Sequence, residues 1–411
     1  MRQVLAWAMG RDRETTLRLA AALDSWWYLR GRLPGLYPLL AELAGYAEPG
    51  SDRWCSIQHM AGWAAVLSNN MAGALNLFTV LRDAVAGRPP SRALADALNG
   101  RAWALGMLGQ VPEGAEDARR ALAVAREAGY PSGEAYALSY LAMAAAAADD
   151  VGEAVRLARQ ADQVPGDIIP STARTCRTFL TEALIQAGDF AAAERVCAAA
   201  LAASREAGDL AAQPDLLYRM ALLDLQAGRA GDATAHLRES FQLALRAGTW
   251  YALYLDACGL LCAATGRHAE AVTAWAAYAA LSQPFADWPG DARRRDEPLR
   301  AARQALGPEQ VRAAEQRGAA MSLAAAAEYA LMLAEDPGPR QAPAAEGLGG
   351  LSARERELVT LVAQGRTNAQ IAAQLYISVR TVSSHLDRIR DKTGCRRRAD
   401  LTRLALSAEL V

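Results

Sequence analysis

The sequence predicts an all-α chain in which a long solenoid of paired helices is followed by a compact four-helix domain. Three observations predict it. Alanine and leucine dominate an apolar content of 52%, with only five Phe in 411 residues, a usage that suits helices rather than strands. A short phrase recurs at a nearly constant interval through the first part of the chain, which is the mark of a repeat array. The last part carries complete helix start and stop signals. The length itself exceeds what one growing core can serve, so several domains or an array are required.

The recurring phrase reads "GRAGDA" from Gly228 and "GRHAEA" from Gly266, with relatives at Gly109, Asp149 and Gly188 and fainter copies at Asn69 and Gly31. Positions 31, 69, 109, 149, 188, 228 and 266 are separated by 38, 40, 40, 39, 40 and 38 residues. A second marker, "REAG" or "LRAG", ends at Gly129, Gly208 and Gly248, each 20 residues beyond a turn position. Between these turns the apolar residues follow helical spacing, as in Leu217, Met220, Ala221 and Leu225, then Ala233, Leu237 and Phe241. Each unit is therefore two antiparallel helices, with a left-handed residue ending the first. A lone pair cannot bury its apolar face, so the pairs must stack and offer an extended binding surface.

These units resemble tetratricopeptide repeats with lengthened helices, and residues 1–283 are assigned to such a domain. The aromatic pairs Trp26 with Trp27 and Trp250 with Tyr251 read as packing between repeats, with an aromatic ligand cage as the alternative. Cys258 and Cys262 stand one turn apart, six residues short of His268, but a metal needs three or four converging ligands. No metal and no cofactor are expected. The six cysteines lack paired spacing and read as buried reduced thiols.

Residues 284–335 read as two or three connecting helices, with Arg293 to Arg295 as a solvated loop. Residues 336–350, "DPGPRQAPAAEGLGG", break all periodicity and read as a flexible linker.

Residues 351–411 hold 11 Lys and Arg against 6 Asp and Glu, a net of +5 that leaves −6 on the first 350 residues. A basic tail on a mildly acidic body suits a nucleic-acid-binding appendage. Ser352 with Glu355, and Thr367 with Gln370, form capping boxes, Ser378 caps a third helix, and Gly365 and Gly394 mark helix ends. Helices are expected over about 352–364, 367–375, 378–393 and 398–408. In the third, Val382, Leu386 and Ile389 face inward and Ile377 pins the preceding turn. The opposite face presents Arg380, Ser384, Asp387 and Asp391, flanked by Thr381, Ser383 and Arg388, as a recognition helix would.

The stretch "LSARERELVTLVAQGRTNAQIAAQLYISVRTVSSHLDRIRDKTGCRRRADL" resembles the LuxR-type helix-turn-helix family over about 60 residues, through many ordered positions such as Glu355, Gly365, Ile371, Val382, Ile389, Lys392 and Gly394. The resemblance implies a third helix in the major groove of double-stranded DNA, with Thr381, His385, Arg388 and Lys392 towards phosphates and Arg396, Arg397 and Arg398 adding charge at the start of the fourth helix. Thr367, Ser378, Arg380, Ser383, Ser384 and Asp387 complete the candidate DNA-binding set. Ser383 and Asp387 depart from basic residues frequent in the family. Asp387 is either an acceptor for a cytosine amino group or a solvated helix position. The fourth helix offers Leu401, Leu404, Ala405 and Ala408 as the stripe through which the family pairs two copies on DNA, although core packing competes for it.

The order of array, connecting helices, linker and tail resembles the C-terminal part of large bacterial regulators that add an ATPase module. A phosphate loop needs a lysine, and the one lysine here is Lys392, inside the tail. No nucleophile elbow and no H-E-x-x-H motif occur, so catalysis is not expected. The opening run from Val4 to Met9 is too short for a secretory leader, and the uncharged stretch Ala135 to Ala148 is 14 residues, too short to span a bilayer. The expectation is a cytoplasmic transcription regulator with no membrane partner. It acts as a homodimer on DNA, and a peptide, protein or small-molecule effector engages the array. The alternative is an interaction scaffold, or a fragment of a larger regulator, that binds DNA little.

Overall fold

A computed structural model describes residues 7–8, 11–23, 33–247, 252–282, 289–334, 351–375, 377–393, 395 and 398–408. Among the described residues every long element is an α-helix and no strand occurs. Two compact units are resolved, one drawn from residues 1–227, 242–250 and 284–294, the other from 228–241, 251–283 and 295–411.

The first unit contains α1 (Arg13–Ala22), α2 (Tyr37–Ala44), α3 (Asp52–Leu67), α4 (Met71–Val85), α5 (Arg92–Met107), α6 (Val111–Glu127), α7 (Pro131–Ala147), α8 (Val151–Asp162), α9 (Pro170–Gln186), α10 (Phe190–Ala207) and α11 (Gln213–Gln226). From α3 onward each helix packs on the next in sequence, and α3, α5, α7 and α9 also touch in succession. That is the contact pattern of stacked helical hairpins.

The turns account for the period. Backbone is left-handed at Asn69 (φ 62°), Gly109 (81°), Asp149 (65°), Gly188 (75°), Gly228 (75°) and Gly266 (72°), all of them turn positions read from the sequence; Gly31 lies outside the described residues. Gly129 and Gly208 repeat the conformation at the second marker, and Gly248 lies outside. Asn69 and Asp149 adopt it without glycine because short polar side chains tolerate this region. Their neighbours then cap the next helix: Gly73 N–H donates to Asn70 Oδ1 and Glu153 N–H to Asp150 Oδ1, each at 3.0 Å.

Small residues let large ones in. Phe78 is fully buried, and a Cβ on Gly62 or Gly100 would collide with its ring. Trp63 packs edge-on to Phe78 at 5.8 Å and to Tyr136 at 5.6 Å. Aromatic packing between repeats is thus present here, whereas Trp26, Trp27, Trp250 and Tyr251 lie outside the described residues.

The second unit holds α13 (Leu253–Ala264), α14 (His268–Leu281), α16 (Pro308–Ala319) and α17 (Leu323–Leu333), then the tail. Helix α12 (Ala230–Ala247), which precedes α13 in sequence, and α15 (Pro289–Leu306), which follows α14, each contribute residues to both units. Cys258 and Cys262 are buried between α13 and its neighbours, and burial pushes the Cys262 thiol up to about 12. The described cysteines are all unbridged.

One expectation is corrected. Arg293 to Arg295 do not form a solvated loop but sit inside α15, because each guanidinium has a carboxylate waiting. Arg293 pairs with Asp149, and Arg294 with Glu182 at 2.9 Å and with Asp291. Arg295 pairs with Asp256 at 3.0 Å and lies 4.9 Å from the Tyr278 ring. The two arginines beside it, Arg294 and Arg219, hold the Glu182 carboxyl down to about 2 against the desolvation that opposes them. The linker over 336–350 lies outside the described residues.

Candidate nucleic-acid interface

The tail folds from local signals. Its helices are α18 (Ala353–Ala363), α19 (Asn368–Leu375), α20 (Val379–Thr393) and α21 (Arg398–Ser407), within one or two residues of the expected spans. Ser352 Oγ accepts from Glu355 N–H at 3.2 Å while Glu355 Oε2 accepts from Ser352 N–H at 2.8 Å. Thr367 and Gln370 exchange the same pair of bonds at 3.2 and 2.9 Å, and Ser378 Oγ accepts from Thr381 N–H at 3.0 Å. Gly365 ends α18 with φ 76°.

Apolar residues of all four helices close one core. Leu358, Val359, Ile371, Val382, Leu386, Ile389, Leu401 and Ala405 are buried in it, and Ile377 is half-buried against it. Because Val382, Leu386 and Ile389 face inward, the far side of α20 is turned to solvent: Ser384, Asp387 and Arg388 are exposed. Thr381, Ser383 and His385 are half-buried along its flank. Thr381 shares a 2.7 Å hydroxyl contact with Ser378, and Ser383 Oγ lies 3.4 Å from Asn368 Nδ2. Thr367 is exposed at the start of α19. The side chains of Arg380 and Asp391, and both Arg396 and Arg397, lie outside the described residues.

Several candidates are committed within the chain. Lys392, expected towards phosphates, donates to both oxygens of Glu355 at 2.8 Å, which ties the end of α20 to the start of α18. The Lys392 hydrogen bond, helped by Ser352 N–H, holds the Glu355 carboxyl down to about 2. Arg398, expected as charge at the start of α21, donates to Asn368 Oδ1 at 2.7 Å and to the Arg366 carbonyl, and burial pulls its pKa down. Asp387 accepts from Arg390 at 2.8 Å across one helical turn. Arg390 went unremarked in the sequence, although an acid three residues before an arginine on a helix signals such a pair. Among the described candidate cations, Arg388 keeps a guanidinium without a partner in this chain.

The tail's own core takes part of the pairing stripe. Leu401 and Ala405 are fully buried in the tail's own core, which needs a fourth helix to cover α18. Leu404 and Ala408 remain half-buried. Helix α21 also touches α17, and Gly365 lies against Ala325, so the tail rests on the connecting helices.

Residues 350–405 match the luxR family of bacterial regulatory proteins, so the tail is a LuxR-type helix-turn-helix domain. A Mycobacterium bovis protein provisionally named as a helix-turn-helix-type transcriptional regulator is 34% identical over 218 residues, 49% of this chain and 24% of that protein. The chain thus spans about a quarter of the length of that curated relative. The oxygen regulatory protein NreC of Staphylococcus aureus is 39% identical over 61 residues, 15% of this chain and 28% of its own. A solved tetratricopeptide repeat protein of Parabacteroides merdae is 15% identical with a TM-score of 0.38, over 70% of this chain and 98% of that one.

Proposed function

We propose that this chain is a sequence-specific regulator of transcription that binds double-stranded DNA as a homodimer, α20 lying in the major groove. Residues 1–283 form the array that receives a peptide, protein or small-molecule effector, 284–335 connect it, 336–350 link it, and 351–411 bind DNA in the cytoplasm. The observation that carries this reading is the two-sidedness of α20: Val382, Leu386 and Ile389 build the core while Ser384, Asp387 and Arg388 are left outward. A helix that only packed would need no hydroxyl, acid and guanidinium together on its free edge.

In this reading Thr381, His385 and Arg388, with Arg396 and Arg397, approach phosphates, and Ser384 faces base edges. Lys392 and Arg398 position helices rather than touch DNA, given their partners in this chain. Leu404 and Ala408 remain for pairing with a second copy. No described helix is long and apolar enough to cross a membrane.

The test is a mobility shift of the full chain on the DNA upstream of its own gene, over a salt series. Six or more phosphate contacts predict a loss of affinity of about 10³ or more between 50 and 200 mM salt. The engagement of Lys392 and Arg398 within the chain favours a second reading, a scaffold with little DNA binding. A salt-indifferent shift, or none, would support that reading instead.

A further inference from the structure

We infer that Arg354 is a positioning residue for the reading of DNA sequence: its guanidinium holds the end of α19, and with it the turn into α20, against the first turn of α18. Arg354 Nη2 donates to the Leu375 carbonyl at 3.0 Å. Leu375 is the last residue of α19, where carbonyls have no partner within their own helix. Three residues further on, Ser378 caps α20. The other arm of the guanidinium, Nη1, donates to Glu357 Oε2 at 2.7 Å, one turn along α18. Because a planar guanidinium carries its donors at set angles, Glu357 fixes the direction in which the fork points.

The neighbouring residue holds the other end. Glu355 accepts both bonds from Lys392, close to the end of α20. Two consecutive side chains of α18 therefore restrain α20 at its entrance and at its exit. Arg354 is 43% exposed and Glu357 50%, outside the apolar core of the tail, so removing either leaves that core in place.

Lever length decides what the restraint does. Arg388 lies nine residues beyond Val379, roughly 13 Å along the helix, so a tilt of about 5° at the turn moves it by roughly 1 Å. Base-edge hydrogen bonds hold over a window of only about 0.5 Å in donor–acceptor distance, and such a tilt breaks them. Attraction between a cation and a phosphate falls off far more gently with distance. Loss of the restraint thus falls on discrimination between sequences rather than on general affinity.

The consequence rests on the DNA-binding reading, so one arm of the test needs no DNA. In the full chain, amide exchange is followed for Arg354→Met, which keeps the apolar stem and removes the donors. The Ile377 and Val382 N–H groups, which donate to the Ala372 and Ser378 carbonyls at 3.0 Å, should exchange about tenfold faster while amides within α18 are unchanged. Affinity is then measured on a duplex selected by the parent from a random pool and on the same duplex with its site scrambled. Arg354→Met should lose about tenfold in discrimination between them, yet bind the scrambled duplex within about twofold of the parent. Arg354→Lys, with one ammonium in place of the fork, should recover part of that loss. Glu357→Ala, which frees the guanidinium, should lower discrimination about threefold and keeps the test valid should Arg354→Met fold poorly. A parent that binds neither duplex would strike the DNA-binding reading and leave the exchange arm to decide the inference. A loss of folded protein would weaken both duplexes alike, and a lost phosphate contact would also make the salt slope shallower by about 0.9. Either pattern, unchanged discrimination, or unchanged exchange at the turn would overturn the inference.

Discussion

Replacing Asp387 with Asn removes a carboxylate from the exposed edge of α20 and releases Arg390. The pair is 2.8 Å apart, with Asp387 68% exposed and Arg390 33%. Such a pair one turn apart contributes only about 0.2–0.5 kcal/mol, so the fold should hold. The effect falls on DNA. A carboxylate about 7 Å from a phosphate in water is repelled by roughly 0.6 kcal/mol, which is about threefold in affinity. If the freed Arg390 neutralises one more phosphate, the slope of log affinity against log salt steepens by about 0.9, and the advantage of the variant shrinks about 3.5-fold from 50 to 200 mM. Fluorescence anisotropy on two duplexes of unrelated sequence, at both salts, should show Asp387→Asn binding both more tightly, with most of the gain at low salt. Weaker binding confined to one sequence would instead make Asp387 a base contact. No change on either duplex would remove the edge of α20 from the DNA altogether.

Three further outcomes follow from the packing and the charges. Leu401→Ala should destabilise the tail by about 3 kcal/mol, as for a fully buried leucine, and half-buried Leu404→Ala by under about 1 kcal/mol; denaturant unfolding read by amide exchange in the tail would contradict this by giving equal costs. Glu355 has a lowered folded pKa, about 2, so its contribution is complete above the unfolded value near 4.3 and is lost as pH falls towards 2. The stability gap between the parent and Glu355→Gln should therefore be constant above about pH 5 and close by about pH 2; a gap that persists in acid would refute the pairing with Lys392. Gly100→Ala should cost about 1–3 kcal/mol by pressing a methyl into the Phe78 ring, and pairing it with Phe78→Leu should recover part of that in thermal unfolding; an unchanged melting temperature would contradict the close approach.

The parts of this protein that are local in origin were legible in the sequence. A forty-residue period survives because each hairpin must turn once, and a turn at 69, 109 or 149 needs a residue that tolerates positive φ. The capping boxes at Ser352 and Thr367 bond over three residues, so their letters suffice. The partners of Lys392 and Arg398 were not legible, because Glu355 and Asn368 lie 37 and 30 residues away and meet them only once the tail has closed. The same holds for Arg295 and Asp256, 39 residues apart, whose pairing keeps a charged triplet helical rather than solvated. Helix α21 shows the limit of periodicity, since Leu401, Leu404, Ala405 and Ala408 share a stripe but only the fold divides it between core and surface. The buried bond from Asn99 to the Gly133 carbonyl gave no signal at all, because the two meet only across neighbouring hairpins.

Methylation interference at guanine N7 probes the major groove alone, and so meets the placement of α20 most directly. With the full chain on a duplex selected by its own binding, interference is predicted at two clusters about one helical turn apart, one for each recognition helix. Binding that persists with every guanine N7 methylated, on duplexes whose sites contain guanine, would contradict it.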